Sequence, residues 1–383
     1  MANTLTGLIP TLYEALNIVN REMVGMIPAV RLDSNAERAG LNQTVRVPIG
    51  AAGALEDITP GSLPASSGDT TMQFADVVIT KSKAAPIRWN GEEQKIIGTT
   101  NTYNKILADQ FAEGMRLLVN AMEVDLALAG KLGASRAYGT AGTAPFATVN
   151  DLTDFAGVRQ ILEDNGCPLS DLQLALSSGA MFNLRGKQAT LFRVNEAGSA
   201  DLLRNGMTDR VMGFALRNSA GFALHTKGTG AGYVTSGTTA QGASGVALIT
   251  GTGTVLAGDI LTAAGDTNKY VINTGIAAPG TIQLAKPGAR PAAGIGTGVA
   301  VTVGNSYTPN LAFNRNAIVL AARAPALPEG GDSADDRMTL VDPVTGLQFE
   351  ISVYRQYRQV KYEIAMAWGT AVIKPEQIAL LLG

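Results

Sequence analysis

The sequence contains one cysteine and one histidine among its 383 residues. A disulfide within the chain is therefore impossible, and zinc sites built from cysteine and histidine fail on count alone. A nucleophilic system that needs a histidine could use only His225, which has no acidic residue near it in the sequence. Cys167 lies in the turn-forming stretch 165–168, which favours a structural role. We therefore expect no enzyme, and no catalytic, metal-binding or cofactor-binding residues.

Charged residues are also scarce, at 16% of the chain against a usual ~25%. The net charge of −2 and the isoelectric point of about 5.6 exclude the strongly basic surface that tight nucleic-acid binding needs. No apolar run reaches the ~18 residues of a membrane-spanning helix, and no basic stretch precedes an apolar one at the N-terminus. We expect a soluble protein of a reducing compartment with no membrane partner.

Glycine and apolar residues are abundant instead, with 44 glycines and 46% apolar residues. This composition favours β structure, tight turns and burial against partners. The glycine-rich stretches 228–232, 251–253 and 294–298 lack a third glycine at the required spacing, and none is followed by the lysine of a phosphate-binding loop. We interpret them as β-turns.

Two small charged clusters stand out near the C-terminus. Asp332, Asp335 and Asp336 lie in an acidic loop that could hold a cation, although their spacing matches no calcium loop. A solvated loop or a charge-paired subunit contact explains them better. Arg355, Arg358 and Lys361 alternate with tyrosines like a miniature nucleic-acid stripe. Because three charges make a weak electrostatic footprint, we favour ion pairs between strands or between subunits.

The N-terminal hundred residues predict a short helix and a long hairpin. Pro10 begins the helix, Gly25 ends it, and one side carries an apolar stripe formed by Leu12, Leu16, Val19 and Met23. Such a short helix is marginal alone and must dock on its own core or on another subunit. Strands are predicted at 44–49 and 76–89, and the loop 50–72 between them carries three charges, Glu56, Asp57 and Asp69.

The middle of the chain predicts one very long helix and then an α+β region. The helix begins at 101 or 102, ends at Gly133 and spans about 45 Å, with an apolar residue every three or four positions. Helices are predicted at 152–164 and 181–187, and strands at 172–176 and 211–216.

Residue composition changes sharply at about 226. The 81 residues 226–306 contain 17 glycines, 14 threonines and six charges. Apolar bursts at 246–249, 269–273, 281–284 and 298–303 predict strands, so this segment is predicted to be an all-β barrel or sandwich inserted into a host domain.

The C-terminal segment has the clearest strand pattern. Apolar residues alternate with polar ones over 347–353 and again over 360–368, with a bulge or turn at 354–359. A last short segment covers 376–382.

Several strings resemble the major capsid (coat) protein of tailed double-stranded DNA bacteriophages, in the subgroup with an inserted domain. The strings are 1–6 (MANTLT), 87–94 (IRWNGEEQ), 134–142 (ASRAYGTAG), 328–336 (PEGGDSADD), 354–362 (YRQYRQVKY) and 378–383 (IALLLG). The resemblance covers nearly all of 1–222 and 308–383 in the same order, whereas 226–306 is similar only in position and β character.

This resemblance implies an α+β protein of the Hong Kong 97-like capsid fold. The implied parts are an N-terminal arm (1–43), an extended E-loop (44–90), a peripheral domain with the spine helix (91–149), an axial domain (150–224 and 308–346), an inserted β domain (225–307) and long antiparallel C-terminal strands that complete both domains (347–383).

The implied function is structural: copies of the chain assemble into pentamers and hexamers of an icosahedral-type head that encloses double-stranded DNA. The implied partners are the chain itself, a scaffolding protein, a portal protein, a decoration protein and non-specifically packaged DNA. The implied location is the virion capsid, with assembly in the host bacterial cytoplasm. The candidate inter-subunit contacts are Glu56, Asp57, Asp332, Asp335, Asp336, Arg355, Arg358 and Lys361. A secreted or surface-layer type adhesion protein is the alternative, although such proteins normally show a secretion signal and tandem repeats.

Overall fold

The computed structural model describes residues 24–33, 37–50, 60, 72–97, 102–188, 210–343 and 345–383. Most of the predicted N-terminal helix and most of the predicted 50–72 loop, with Glu56 and Asp57, lie outside these residues.

The described residues form four α-helices and twenty strands. The helices are α1 Gly91–Ile97, α2 Thr102–Gly133, α3 Thr153–Asp164 and α4 Ser178–Lys187. The strands are β1 Arg31–Asp33, β2 Thr44–Ile49, β3 Gln73–Val78, β4 Lys81–Asn90, β5 Arg136–Tyr138, β6 Leu172–Leu176, β7 Arg210–Val211, β8 Phe214–Asn218, β9 Val234–Thr235, β10 Gly245–Ile249, β11 Ile260–Ala263, β12 Lys269–Thr274, β13 Gly280–Leu284, β14 Val301–Val303, β15 Pro309–Asn314, β16 Ile318–Arg323, β17 Asp336–Val341, β18 Gln348–Gln356, β19 Gln359–Val372 and β20 Ile378–Leu382. The predicted α+β class is confirmed.

Helix α2 is the predicted long helix, and its 32 residues span about 48 Å. One side of it is buried, as the apolar period predicts; the fully or nearly fully buried positions are Leu107, Phe111, Met115, Leu118, Met122 and Leu126. Two partly buried hydrogen bonds join the helix to the sheet beneath it. Asp125 accepts from the Trp368 indole at 2.9 Å, and Gln110 accepts from the Trp89 indole at 2.8 Å.

A six-stranded sheet lies under α2, and both faces of this sheet are packed against other parts of the chain. Its order is β1-β16-β19-β18-β17, with β4 paired to β19. Ile364, Met366 and Trp368 belong to the same core as α2, whereas Ala367 packs into a separate cluster on the other face. This is the period-two alternation that the sequence showed.

The hairpin of β2 and β3 packs on that second face. Val45, Val47, Val77 and Ile79 form a cluster with residues of β16 and β19. The hairpin and the sheet come very close at Gly369, where an added Cβ would lie 2.0 Å from the Val78 carbonyl oxygen. A residue without a side chain is needed there.

The second large sheet has twelve strands. Its main order is β7-β8-β6-β15-β20-β5-β12-β13-β10-β9, with β11 paired to both β12 and β14. The strands of 225–307 have a core of their own, centred on residues such as Tyr233, Tyr270 and Ile282. They join the rest through β12, whose Lys269 and Tyr270 pair with Ala137 and Arg136 of β5.

Several predicted boundaries are wrong for local reasons. The strand predicted at 76–89 is two strands, because Ile79 packs under the hairpin and the Thr80 amide donates to the Trp368 carbonyl. The strand predicted at 211–216 is broken by a tight turn, in which Met212 and Gly213 both have positive φ. The helix predicted at 181–187 begins at Ser178, since the Ser177 hydroxyl accepts from the Ala180 amide. The segments predicted at 298–303 and 376–382 are the shorter strands β14 and β20.

Candidate assembly surface

One end of the six-stranded sheet brings together α1 and the turn between β18 and β19. Asn90 at the end of β4 is in register with Gln359 at the start of β19. The Gly91 amide donates to the Arg358 carbonyl at 3.1 Å, which ties the first residue of α1 to the turn. Arg358, the second residue of this two-residue turn, has φ +57° and is in the left-handed conformation. The phase change predicted at 354–359 is therefore this turn.

This end carries two very exposed apolar side chains. Tyr357 is 88% exposed and Ile96 is 83% exposed, the highest values for large apolar residues in the described part of the chain. An open groove of about 750 Å³ lies between α1 and the turn, and its lining includes Trp89 and Val360, which are in register on β4 and β19. We call the groove, with its lining residues Glu92, Arg355, Tyr357 and Arg358, together with Ile96 of α1, the tip surface.

Charges of both signs surround these apolar groups. The Arg358 guanidinium lies 5.7 Å from the centre of the Tyr357 ring, a cation–π distance that presents both groups together. Arg355 forms an ion pair with Asp335 at 3.1 Å. Glu92, in the first turn of α1, supplies a carboxylate on the opposite side of the groove.

The acidic loop packs against β18, and its aspartates have partners within the chain. Asp332 accepts from the Tyr354 hydroxyl at 2.8 Å and from the Ala334 amide, and it pairs with Arg337. These contacts, the Tyr354 hydrogen bond first, hold the pKa of Asp332 below its ordinary value. Asp336 accepts from the Arg337 amide at 2.8 Å.

Lys361 completes the predicted contact residues in the described part of the chain. Its ammonium lies 2.5 Å from Glu363 and 5.7 Å from the centre of the Tyr354 ring. Five of the eight candidates thus have ion-pair or hydrogen-bond partners within the chain, while the Arg358 guanidinium lies over Tyr357. Their role between subunits stays a prediction, as does that of Glu56 and Asp57 outside the described residues.

Sequence reasoning missed a buried carboxylate on α2. Glu123 is 2% exposed and accepts from the Met26 amide at 3.0 Å, the Ile27 amide at 2.8 Å and the Ser219 hydroxyl at 2.6 Å. Burial raises its pKa despite these donors. The residue clamps the start of the described N-terminal segment on the long helix.

Two further buried charges hold the same N-terminal segment. Arg323 of β16 pairs with Asp33 at 3.2 Å and with Glu37 at 3.5 Å. Glu350 of β18, which is 4% exposed, pairs with Arg38. The segment that leads to the β2–β3 hairpin is therefore fixed on the body at three points.

His225 has an acid in the fold that the sequence did not reveal. Its Nε2 lies 2.9 Å from Asp259, and its Nδ1 lies 3.3 Å from the Lys131 ammonium on α2. Asp259 also accepts from the Gly228 and Leu256 amides. Through these contacts His225 joins the strands of 225–307 to α2, and its structural role stays a prediction.

Cys167 is buried, and its structural role also stays a prediction. It is 6% exposed, and burial, followed by the nearby Glu376 charge, raises the pKa of its thiol to about 11. In the described ranges, no group of three or more His, Cys, Asp or Glu side chains is placed to hold a metal ion. None of the helices that the structure describes is long and apolar enough to cross a bilayer.

Comparison with known proteins gives no sequence family and several solved structures. No family model matches the chain, and no curated protein sequence matches it. The chain is similar to one in the structure of Mycobacterium phage Che8 (11% identity over 90% of this chain and 88% of that chain, TM-score 0.46). It is also similar to chains in the capsids of cyanophage P-SCSP1u (11% identity, 92% and 86%, TM-score 0.47) and Ralstonia phage GP4 (8% identity, 94% and 87%, TM-score 0.48).

Proposed function

We propose that this chain is a shell-forming subunit, the major capsid protein of a tailed-phage-type head that encloses double-stranded DNA. The tip surface is the observation that carries the proposal. Tyrosine and arginine are among the residues that most often anchor protein–protein interfaces. Here Tyr357 is almost fully exposed on the turn, which a hydrogen bond ties to α1, and the apolar side chain of Ile96 is almost fully exposed on α1 itself. Exposing these apolar side chains to water is unfavourable, and contact with another copy of the chain would bury them.

The charges of the tip surface suit a head-to-tail contact between copies. Glu92 and Arg358 lie on opposite sides of the same groove, so each can face the opposite charge of a neighbour related by rotation. In this proposal Arg355 keeps its ion pair with Asp335, and this pair holds the turn in place for contact with a neighbouring subunit. Asp332, Asp336 and Lys361 shape the same end, while Glu56 and Asp57 reach a neighbour through the loop between β2 and β3.

The domain assignments follow from the same proposal. The arm, E-loop, peripheral, axial and inserted parts keep the boundaries given by the resemblance. The separate core of the strands in 225–307 supports an inserted domain. Scaffolding, portal and decoration proteins and non-specifically packaged DNA are the proposed partners.

Electron microscopy of the overexpressed full-length chain tests the proposal. The wild type should form closed shells or tubes, and Tyr357→Glu should stop assembly while leaving the circular dichroism unchanged. Ala278→Glu, which adds the same charge at an exposed loop position far along the chain, is the matched control and should assemble normally.

One result would overturn the proposed function, and another would overturn the role of the tip surface in it. Wild-type chain that stays monomeric over a wide concentration range would favour the adhesion-type alternative. Normal shells from Tyr357→Glu would remove the tip surface from the assembly contacts.

A further inference from the structure

The chain enters and leaves the strands of 225–307 through one pair of residues. His225 and Tyr307 form an isolated antiparallel bridge, in which the His225 amide donates to the Tyr307 carbonyl at 2.8 Å and the Tyr307 amide donates back at 3.1 Å. The centres of their rings are 5.1 Å apart. We call this pair the neck. The one histidine of the chain is therefore fixed where the two connecting segments meet.

The two ring nitrogens of His225 face groups of opposite charge. Nε2 lies 2.9 Å from the Asp259 carboxylate, which is 1% exposed, whereas Nδ1 lies 3.3 Å from the half-buried Lys131 ammonium of α2. An ammonium group only donates hydrogen bonds, so Nδ1 must accept one. The contact with Lys131 therefore requires a neutral ring whose proton is on Nε2, from where it is donated to Asp259.

The other titratable groups close to the ring have partners of their own. The Tyr307 hydroxyl donates to a backbone carbonyl at 2.6 Å, and burial, followed by the Asp259 charge, raises its pKa, so this group stays neutral. The ammonium of Lys227, two residues further along the chain, lies 3.3 Å from the Asn305 amide oxygen. The charged contacts of the ring that the structure describes are thus Lys131 on one side and Asp259 on the other.

A second proton on the ring changes these two contacts in opposite directions. The proton, taken from solvent, occupies Nδ1, so the ring can no longer accept from Lys131, and two positive groups then face each other at 3.3 Å. Burial lowers the pKa of the Lys131 ammonium, with the Asp259 charge opposing this effect, so the position already disfavours positive charge. The contact with Asp259 instead becomes a charge-assisted hydrogen bond. Protonation therefore breaks the contact with α2 and preserves the neck.

We propose that His225 and Lys131 form a pH-sensitive latch, in which protonation of the histidine releases the lysine and loosens the strands of 225–307 from α2. Histidine is the side chain that ordinarily changes charge between about pH 5 and 8. The strands of 225–307 have a core of their own and stay folded when the latch opens. Ile260 and Val271 also pack in the main core, so we expect a looser joint rather than full separation.

Hydrogen exchange of the dilute, unassembled full-length chain at pH 8 and pH 5 tests the latch. The readout is the protection of the peptides that cover β5 and β12, whose pairing joins 225–307 to the body. After correction for the intrinsic exchange rate at each pH, this protection should fall about tenfold at pH 5 in the wild type. The peptides that cover β6 and β15, which pair with each other in the body, are the internal control and should show no such fall.

Two variants assign the response to the latch. His225→Gln should keep the joint equally protected at both pH values, because an amide donates to Asp259 and accepts from Lys131 without titrating. Lys131→Met removes the positive neighbour, so its joint should also respond equally at both pH values, from a lower starting protection. Circular dichroism at pH 8 checks that each variant is folded, and Lys131→Met alone carries the test if His225→Gln does not fold.

The proposal has clear contrary outcomes, none of which depends on shell assembly. Equal protection of the wild-type joint at pH 8 and pH 5 would refute the latch. A fall at pH 5 that persists in either folded variant would assign the acid response to other groups and would overturn the role of His225.

Discussion

Replacing Glu123 by alanine should loosen the N-terminal segment and destabilise the whole chain. The change removes the acceptor for two buried backbone amides and one buried hydroxyl. A buried donor left without a partner costs about 1–3 kcal/mol. The sum is reduced because the cost of burying the carboxylate itself also disappears. We expect a loss of about 3 kcal/mol in the free energy of unfolding.

The pH dependence of this loss has a definite sign. Burial raises the pKa of Glu123 above its ordinary value of 4.5, so the folded chain binds this proton more tightly than the unfolded chain does. The stabilising contribution of the group is therefore full below the unfolded pKa and declines as the pH rises through the folded pKa. The advantage of the wild type over Glu123→Ala should be larger at pH 5 than at pH 8.

Urea denaturation at both pH values measures the loss, and hydrogen exchange locates it. The Met26 and Ile27 amides should exchange at least about tenfold faster in Glu123→Ala. Glu163→Ala, which removes an exposed helical ion pair with Arg159, is the control and should cost less than about 1 kcal/mol. Unchanged exchange at these two amides, together with wild-type stability, would refute the clamp.

Three further changes test other contacts. Gly369→Ala should lower stability by about 1–3 kcal/mol in a thermal melt, because its Cβ would collide with the Val78 carbonyl; Gly50→Ala, where nothing lies within 4 Å of the new atom, should cost far less. Asp259→Asn should cost about 2 kcal/mol and expose 225–258 to proteases, since an amide nitrogen cannot accept the backbone donors that the carboxylate accepts. Asp332→Asn should remove a small pH dependence: the pKa of this group is lowered, so its stabilising contribution is present above the unfolded pKa and is lost as the pH falls through the folded one.

Elements that the sequence predicted well are those whose burial follows a simple period. On α2, buried apolar residues from Leu107 to Leu126 recur every three or four positions. On the long strands, buried apolar residues from Phe349 to Trp368 recur at every second position. Breaks caused by distant contacts could not be predicted. Ile79 ends a strand only because the hairpin folds over β19.

The candidate site was predicted only in part for a related reason. Arg355 and Arg358 were found because charge and tyrosine alternate locally. The role of Ile96 depends on the register of Asn90 with Gln359, which joins positions more than 260 residues apart. Glu123 left a readable signal, since a carboxylate falls between Val119 and Leu126 on the buried side of α2.

The pairing of β5 with β12 sets how mechanical load would pass between the strands of 225–307 and the body. Force applied to those strands crosses the ladders β12–β5, β5–β20, β20–β15 and β15–β6 in series. They have two, three, five and four register pairs respectively. The ladder with the fewest pairs lies at the joint itself, supported by Arg136 on Asn268 and by Lys269 on the Gly139 carbonyl. Under tension these strands would separate from the body at β5 before either core was pulled apart.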